Sequence, residues 1–484
     1  MIYTIVIFGA SGDLTRRKLI PALYELHRKK RLPGALLIVG MARTEYSHDQ
    51  WREILKEACM TQVGKHFDPT LWEEFARNIY YHPGDVSRAE CFPELDQFVS
   101  ELENHQPSTR IYYLALAPEF YECTVAHLGA AGMAVESSGP RRIVVEKPFG
   151  RDRESARQLN AKIHEVFAEH QIYRIDHYLG KETVANVLVL RFANTIFEPI
   201  WNRNYVDHIQ ITAAEDLPIG RRASFYESAG ILRDMFQNHL LQLLTLTAME
   251  PPSRVNADDI RDEKVKVLRA VRPFTPADVA ANTVRGQYRK YRDEPNVPPN
   301  SQTATFGVVK LYVDNWRWQG VPFYLRSGKA MSCRTTQIVI QFREPPHMMF
   351  EGGPKHIHEA NRLVLQIQPA EGIQIHFQTK VPDAGMKMRL TDLDFNFREK
   401  FAGEMPEAYE RLLLDVMIGD PSLFARADEV ELAWGIIDPI QQVWDAGGPP
   451  QLELYEAGGW GPPYSEEWMQ RQGRRWFNVC PVLE

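Results

Sequence analysis

The sequence is poor in the features that mark several protein classes. Only five cysteines occur in 484 residues: Cys59, Cys91, Cys123, Cys333 and Cys480. None belongs to a C-x-x-C pair, which argues against a zinc site and a disulfide framework. An odd, scattered set of this kind is typical of reduced thiols, so we expect a cytoplasmic protein without a metal site. No apolar run approaches the ~18 residues of a membrane span, so we expect no membrane partner.

Positive charge is also scarce. Lys and Arg total 56 against 63 Asp and Glu, a formal net charge of −7. A nucleic-acid-binding protein is more often basic, so we expect no nucleic-acid partner. The apolar start of the chain, residues 1–10, resembles the core of a signal peptide. It lacks a basic beginning and is broken at Gly9, so we expect a first β-strand there instead.

The first third of the sequence alternates between two hydrophobic patterns. Short apolar runs occur at residues 3–8, 35–41, 111–117 and 143–145, and helical patterns occur at 14–31, 51–60, 69–78 and 121–131. Strands alternating with helices predict a parallel sheet with crossover helices, the Rossmann type of α/β domain.

The pattern changes after about residue 175. Residues 337–342, 362–368 and 372–379 alternate as antiparallel strands with one solvent-facing side, whereas 184–191, 229–249, 408–417 and 427–444 have helical patterns. The proline-rich, charged stretch 288–301 is expected to be a surface loop. Length alone favours roughly three domains. The patterns predict two: a Rossmann domain at residues 1–175, and a larger α+β domain with a mainly antiparallel sheet at 176–484.

A glycine-containing turn joins the first predicted strand to the first predicted helix. Two glycines there let the turn close and let the backbone approach a pyrophosphate at the helix N-terminus. The predicted cofactor-binding residues are Gly9, Ala10, Ser11, Gly12, Asp13 and Leu14. The usual third glycine is missing, with Thr15 nearby. From these residues alone, an ordinary glycine turn is an equally good interpretation.

Arg43 follows the second predicted strand. NAD enzymes commonly have an acidic residue there, which binds the ribose 2′-hydroxyl. A guanidinium instead pairs well with a 2′-phosphate, so the sequence favours NADP. A surface arginine is the alternative. Arginine can also stack on adenine, so NAD stays open as a secondary cofactor.

Several longer motifs resemble the glucose-6-phosphate dehydrogenase family over essentially the whole chain. They are E-K-P-F-G at 146–150, R-I-D-H-Y-L-G-K at 174–181, R-D-M-F-Q-N-H-L at 233–240, L-R-S-G-K at 325–329, A-Y-E-R-L-L-L-D at 408–415 and G-G-W-G-P-P at 458–463. The string at 174–181 is the most specific. The resemblance implies NADP-dependent oxidation of glucose 6-phosphate and a homodimer or homotetramer.

The resemblance assigns His239 as the general base and Asp176 as the carboxylate that orients and stabilises its imidazole. An unperturbed histidine pKa of ~6.5 suits proton transfer near neutrality. The residues alone favour a different interpretation. At ~100° per residue, positions 232, 235, 239, 242 and 246 form one largely apolar helical stripe, in which a histidine is usually a core residue.

The remaining site residues are assigned by position in the same way. His177, Tyr178 and Lys181 would bind the substrate phosphate, Glu215 and Asp234 the sugar hydroxyls, Lys329 and Arg334 the far side of the sugar, with Gln368 as a further contact. Lys147 would reach both substrate and cofactor, with a cis bond expected before Pro148. Asp85, Val86 and Tyr121 would line the cofactor site. Each alone also fits a surface or strand-face polar position.

Two departures from the family pattern affect the predictions. Thr335 and Gln366 stand where further basic residues would help a second, structural NADP, so we expect none. Asp216 replaces a proline that several members carry, and has no functional interpretation. Two other functions stay open: an oxidoreductase for an unphosphorylated sugar, and a catalytically silent NADP-binding sensor.

Overall fold

A computed structural model describes residues 1–347, 349, 360–401 and 405–481, which form two compact units. The first comprises Met1–Lys181, Arg254–Arg261 and Pro406–Glu431, and the second Glu182–Ser253, Asp262–Met405 and Leu432–Glu484. The compact units therefore divide six residues after the predicted boundary, and the segment containing Tyr409 belongs to the first. The two-domain division at 175/176 stays a prediction.

The described strands and α-helices are numbered in chain order. The strands are β1 Ile2–Phe8, β2 Ala35–Ala42, β3 Ile79–Pro83, β4 Ser108–Leu114, β5 Arg141–Glu146, β6 Ile172–Ile175, β7 Val206–Ala214, β8 Thr283–Tyr288, β9 Phe306–Tyr312, β10 Pro322–Gly328, β11 Thr335–Phe342, β12 Arg362–Gln368, β13 Gly372–Lys380, β14 Met388–Asn396 and β15 Leu452–Tyr455. The α-helices are α1 Ile20–Arg28, α2 His48–Val63, α3 Pro69–Ala76, α4 Cys91–Leu102, α5 Tyr121–Ala130, α6 Arg153–His164, α7 Glu182–Phe192, α8 Ala223–Ile231, α9 Leu241–Ala248, α10 Ala257–Ala270, α11 Pro276–Asn282, α12 Phe397–Lys400, α13 Ala408–Ile418, α14 Ala427–Asp445 and α15 Pro463–Gln470.

The first unit contains a parallel sheet with the strand order β3-β2-β1-β4-β5-β6. β1 is buried from Tyr3 to Phe8, as expected for a central strand covered on both faces. The strand order reverses direction between β1 and β4, and open α/β sheets bind ligands at the carboxyl ends of the strands beside such a point. The predicted Rossmann architecture is confirmed.

The second unit contains a sheet with the order β14-β13-β12-β11-β7-β10-β9-β8-β15. Of the strand pairs described, β7–β10 and β8–β15 are parallel and the others antiparallel. The predicted mainly antiparallel sheet is therefore confirmed. No helix in the described part of the chain combines the length and the apolar character needed to cross a membrane.

The helix predicted over residues 229–249 is wrong as a single element. α8 contains Gly230 in a non-helical conformation (φ +62°), a π-helical segment follows at Leu232–Leu240, and α9 continues from Leu241. A π-helix closes its hydrogen bonds over five residues, so the ~100° spacing used for the stripe does not hold there. The predicted surface loop 288–301 is also partly wrong, because Tyr291 is fully buried.

The expectation of five reduced thiols is wrong. Cys333, just before β11, forms a disulfide with Cys480, and their Cα atoms lie 6.0 Å apart. The pairing depends on long-range packing: the backbone N–H of Phe477 donates to Gln210 and the Gln337 side chain donates to the Phe477 carbonyl. These bonds hold the C-terminal segment across the sheet. Spacing alone does not reveal a pair separated by 147 residues.

Thiol titration checks this disulfide. The protein denatured without reductant should expose three reactive thiols, from Cys59, Cys91 and Cys123, and five after reduction with a dithiol. A Cys333→Ser, Cys480→Ser double variant should give three under both conditions. Five reactive thiols in the unreduced wild type would contradict the pairing.

Candidate active site

The glycine turn after β1 is built from backbone contacts. Gly9 has φ +82°, and a side-chain carbon there would lie 2.2 Å from the Ala115 carbonyl oxygen. Its N–H and that of Ala10 donate to the Met41 carbonyl, at 2.9 and 3.1 Å. The turn is thus held against the ends of β2 and β4, at the point where the strand order reverses. Only glycine fits at position 9, and the turn lies at the carboxyl end of β1 beside the reversal of strand order, which is where open α/β sheets bind ligands.

The predicted cofactor residues after β2 and β3 carry opposite charges. Arg43 is exposed directly after β2. Asp85 accepts hydrogen bonds from the Ser87 backbone and hydroxyl, at 2.9 and 2.8 Å. These bonds, and to a smaller extent the nearby Arg43 charge, lower the pKa of Asp85. The Val86 side chain is buried, and its carbonyl faces His127 at 3.1 Å.

A hydrogen-bonded group surrounds the end of β5. Tyr121 donates to the Glu146 carbonyl at 3.0 Å, while Tyr113 and Tyr409 both donate to Glu146 Oε1, at 2.5 and 3.0 Å. Burial raises the pKa of the Glu146 carboxyl. Half-buried Lys147 comes next, and the Lys147–Pro148 bond is cis, as expected. Sequence reasoning missed the roles of Glu146, Tyr113 and Tyr409, although two of them lie within quoted family motifs.

The residues predicted to bind the substrate phosphate form a tight turn after β6. Asp176 and Tyr178 are buried, and the Tyr178 backbone N–H donates to Asp176 Oδ1 at 2.9 Å. The Lys181 ammonium lies 4.5 Å from the centre of the Tyr178 ring, and the His177 ring packs edge-on against the same ring. Tyr178 thus fixes the imidazole and the ammonium as one cluster of donors.

In the second unit, a buried lysine joins two of the predicted sugar-binding carboxylates. Lys329 Nζ lies 2.7 Å from Glu215 Oε2 and 2.7 Å from Asp234 Oδ2, and its side chain is only 3% exposed. Burial alone lowers the pKa of Lys329, but the charges of Asp234 and Glu215 outweigh it and raise the pKa. The adjacent strands β7 and β10 position Glu215 and Lys329, and the π-helical segment supplies Asp234.

The same π-helical segment carries His239, which is 1% exposed. Its stripe neighbours Leu232, Met235, Gln242 and Leu246 are also buried. Histidine and Asp234 therefore come from one segment whose π geometry departs from the regular helix that the sequence predicts. π-helical turns of this kind occur frequently at functional sites.

The other predicted substrate residues lie on neighbouring strands. Arg334 is exposed just before β11, and Gln368 ends β12, where its side chain donates to Thr336 at 3.0 Å. Thr335 is buried, and Gln366 donates to Gln337 across the strand pair. Asp216 is exposed, and nothing in the structure explains it.

Comparisons with known proteins agree across the whole chain. Residues 6–186 match the model of the glucose-6-phosphate dehydrogenase NAD binding domain, and residues 188–477 match that of the C-terminal domain. A glucose-6-phosphate 1-dehydrogenase of Aggregatibacter actinomycetemcomitans is 44% identical, covering 99% of this chain and 98% of that protein. One of Bacillus subtilis is 42% identical, covering 98% of each.

A solved structure has the same fold. It is a glucose-6-phosphate dehydrogenase in complex with its substrate glucose 6-phosphate, with a TM-score of 0.90, 36% identity and 98% coverage of both chains. With two family domain models spanning the chain and relatives matching over nearly their full length, this protein belongs to the glucose-6-phosphate dehydrogenase family.

Proposed function

We propose that this protein is a glucose-6-phosphate 1-dehydrogenase, which oxidises D-glucose 6-phosphate to 6-phospho-D-glucono-1,5-lactone with NADP⁺ as the oxidant. The observation that carries the proposal is the relationship to curated enzymes of that name at 42–44% identity over 98–99% of this chain. The glycine turn would bind the cofactor, and Lys329 with Glu215 and Asp234 would bind the sugar. Two anionic ligands require local cations, which the overall charge of −7 conceals.

The cofactor would bind at the glycine turn, whose backbone at Gly9 leaves no room for a side chain. Residues 9–14, Arg43, Asp85, Val86, Tyr121 and Lys147 are the proposed contacts. When bound, NADP⁺ supplies the acceptor for a hydride. The exposed guanidinium of Arg43 would pair with the 2′-phosphate.

The residues of this chain would bind the sugar and move one proton. His177, Tyr178 and Lys181 would hold the phosphate, and Glu215, Asp234, Lys329, Arg334 and Gln368 the sugar. His239 would take the proton of the C1 hydroxyl while the C1 hydrogen leaves with its electron pair as hydride, so that a C=O bond forms. Asp176 would stabilise the imidazolium produced in this step.

The substrate preference tests the proposal. With NADP⁺, glucose 6-phosphate should give rapid formation of NADPH. Free glucose should react far more slowly, because it lacks the phosphate that the 176–181 turn would bind. Equal rates on the two sugars would favour the alternative oxidoreductase. Absence of a rate on either would favour the silent sensor.

Arg43→Ala tests the cofactor assignment. A charge-assisted bidentate pair is lost, so kcat/KM for NADP⁺ should fall by roughly tenfold or more, and that for NAD⁺ should change little. Steady-state rates with each cofactor provide the comparison, with exposed Arg77→Ala at the end of α3 as a matched loss of charge in the same unit. An unchanged value for NADP⁺ in the Arg43 variant would refute the 2′-phosphate role.

We also propose an oligomeric state and a cellular location for the protein. The predicted homodimer or homotetramer is supported by exposed apolar side chains on and after β14, with Leu393 61% and Phe401 59% exposed. The proposed cytoplasmic location is supported by the three free cysteines, Cys59, Cys91 and Cys123, and not by the pair that forms the Cys333–Cys480 disulfide.

A further inference from the structure

Four buried tyrosines form a chain of ring contacts, and two of them, Tyr226 and Tyr455, contact Lys329. The rings of Tyr226, Tyr291, Tyr288 and Tyr455 follow one another in edge-to-face contacts, with centroid distances of 6.2, 5.5 and 6.4 Å. We call these four residues the tyrosine cluster. The Lys329 ammonium lies 5.6 Å from the centre of the Tyr226 ring. Tyr226 is therefore the member of the cluster that lies against the Lys329 ammonium, which also pairs with Glu215 and Asp234.

Three of the four hydroxyls have clear hydrogen-bond partners. Tyr291 donates to Glu227 at 2.6 Å, Tyr288 to Glu294 at 3.0 Å, and Tyr455 to the Lys329 carbonyl at 2.7 Å. The Tyr226 hydroxyl is buried and has no hydrogen-bond partner among the described residues. The cluster thus contains one buried hydroxyl without a hydrogen bond among the described residues.

An unused buried hydroxyl lowers the stability of a fold. Removing it from water without a new partner has an unfavourable free energy, and replacing it by an apolar group of the same shape is neutral or stabilising. Tyr226 is 2% exposed, so a phenylalanine would fill the same space. Packing accounts for the ring at this position and leaves the hydroxyl unexplained.

Lys329 connects the Tyr226 ring to both carboxylates, because its ammonium lies 5.6 Å from the ring centre and 2.7 Å from Glu215 Oε2 and from Asp234 Oδ2. Burial raises the pKa of Tyr226 well above its ordinary value, and the charges of Asp234 and Glu215 raise it further. The hydroxyl therefore keeps its proton at all ordinary pH values and can serve as a donor. In this structure both carboxylates instead bind Lys329, each at 2.7 Å.

We propose that Tyr226 is a further positioning residue of the sugar site, whose hydroxyl donates a hydrogen bond to Asp234 when substrate is bound. A carboxylate that pairs with Lys329 through one oxygen can still accept hydrogen bonds from a sugar hydroxyl and from a phenol, and the Tyr226 hydroxyl would hold Asp234 in the orientation that the sugar needs. The inference rests on the proposed function, since it takes Asp234 as a sugar ligand. It predicts that the hydroxyl contributes to substrate binding and nothing to folding.

Tyr226→Phe tests this, with Tyr291→Phe as the matched control from the same cluster. The Tyr226 variant should unfold at the same temperature as the wild type or higher. Its KM for glucose 6-phosphate should rise about tenfold, the effect of losing one hydrogen bond to a charged group, with kcat changed less than KM. Tyr291→Phe loses a real bond to Glu227, so it should unfold at lower temperature and keep the wild-type KM.

The other outcomes each decide the matter. A Tyr226→Phe enzyme with unchanged KM would overturn the inference, as would a loss of thermal stability equal to that of Tyr291→Phe. If the wild type does not oxidise glucose 6-phosphate, the proposed function fails. Calorimetric binding of the sugar phosphate to both proteins then decides separately: weaker binding by the variant supports the inference, and equal or no binding refutes it.

Discussion

Replacing His239 by asparagine should lower kcat for glucose 6-phosphate oxidation by ~10²–10⁴-fold, the usual contribution of an oriented general base. Asparagine keeps a polar, hydrogen-bonding side chain, although a smaller one, but cannot accept the proton of the C1 hydroxyl. KM should change much less than kcat, because the proposed base acts in the chemical step.

A second buried histidine provides the control. His208 on β7 is 2% exposed and pairs with Asp207 at 2.7 Å, away from the proposed machinery. His208→Asn should lower the unfolding temperature and leave kcat within a few-fold of wild type. If His239→Asn also keeps its rate and only loses stability, His239 is a core residue, as the apolar stripe of the sequence suggests.

Replacing Lys329 by methionine should lower the free energy of unfolding more than the substitutions at His239 and Tyr226 do. The wild-type ammonium lies between Glu215 and Asp234, and its removal leaves two partly exposed carboxylates facing each other, with Glu215 34% and Asp234 16% exposed. Breaking a fully buried ion pair by deleting one partner typically costs ~3–5 kcal/mol, and solvent screening of Glu215 reduces the expected loss to about 1–3 kcal/mol. Chemical denaturation should show a loss of this order, and activity should be lost with the sugar site.

Neutralising Glu215 and Asp234 as well separates the loss of stability from the loss of activity. A triple variant with Lys329→Met, Glu215→Gln and Asp234→Asn should recover most of the stability and none of the activity.

Folding raises the pKa of Lys329, so its contribution to the free energy of unfolding is complete below the ~10.4 of free lysine. That contribution is lost only as pH rises through the higher folded-state value. A single Lys329→Met variant as stable as wild type would contradict the ion-pair cluster.

Much of the fold could be predicted from local patterns in the sequence. The β1–turn–helix unit was predictable because a short apolar strand, two glycines and a helical apolar pattern follow one another, but the first part of the helix predicted at 14–31 is a π-helical segment, Thr15–Leu19. β12 was predicted with the bounds that it has, 362–368, since alternation of apolar and polar residues is a property of the strand itself. The turn at 176–181 also depends only on neighbouring residues, such as the hydrogen bond from the Tyr178 N–H to Asp176.

The features that the sequence did not reveal depend on distant residues. The π-helical segment at 232–240 has the same apolar spacing as an ordinary helix. The Cys333–Cys480 pair forms because the C-terminal segment crosses the sheet. The unused hydroxyl of Tyr226 is visible only once every partner in the tyrosine cluster is placed. Each requires the packed structure, because its cause is a contact between segments far apart in the chain.

Transfer of deuterium tests the central claim most directly. Glucose 6-phosphate carrying deuterium at C1 is incubated with NADP⁺ and the protein, and the reduced cofactor is examined by NMR. The account predicts one deuterium at the nicotinamide C4 for each lactone formed, since the C1 hydrogen leaves as hydride. Absence of reduced cofactor, or NADPH without the label, would contradict it.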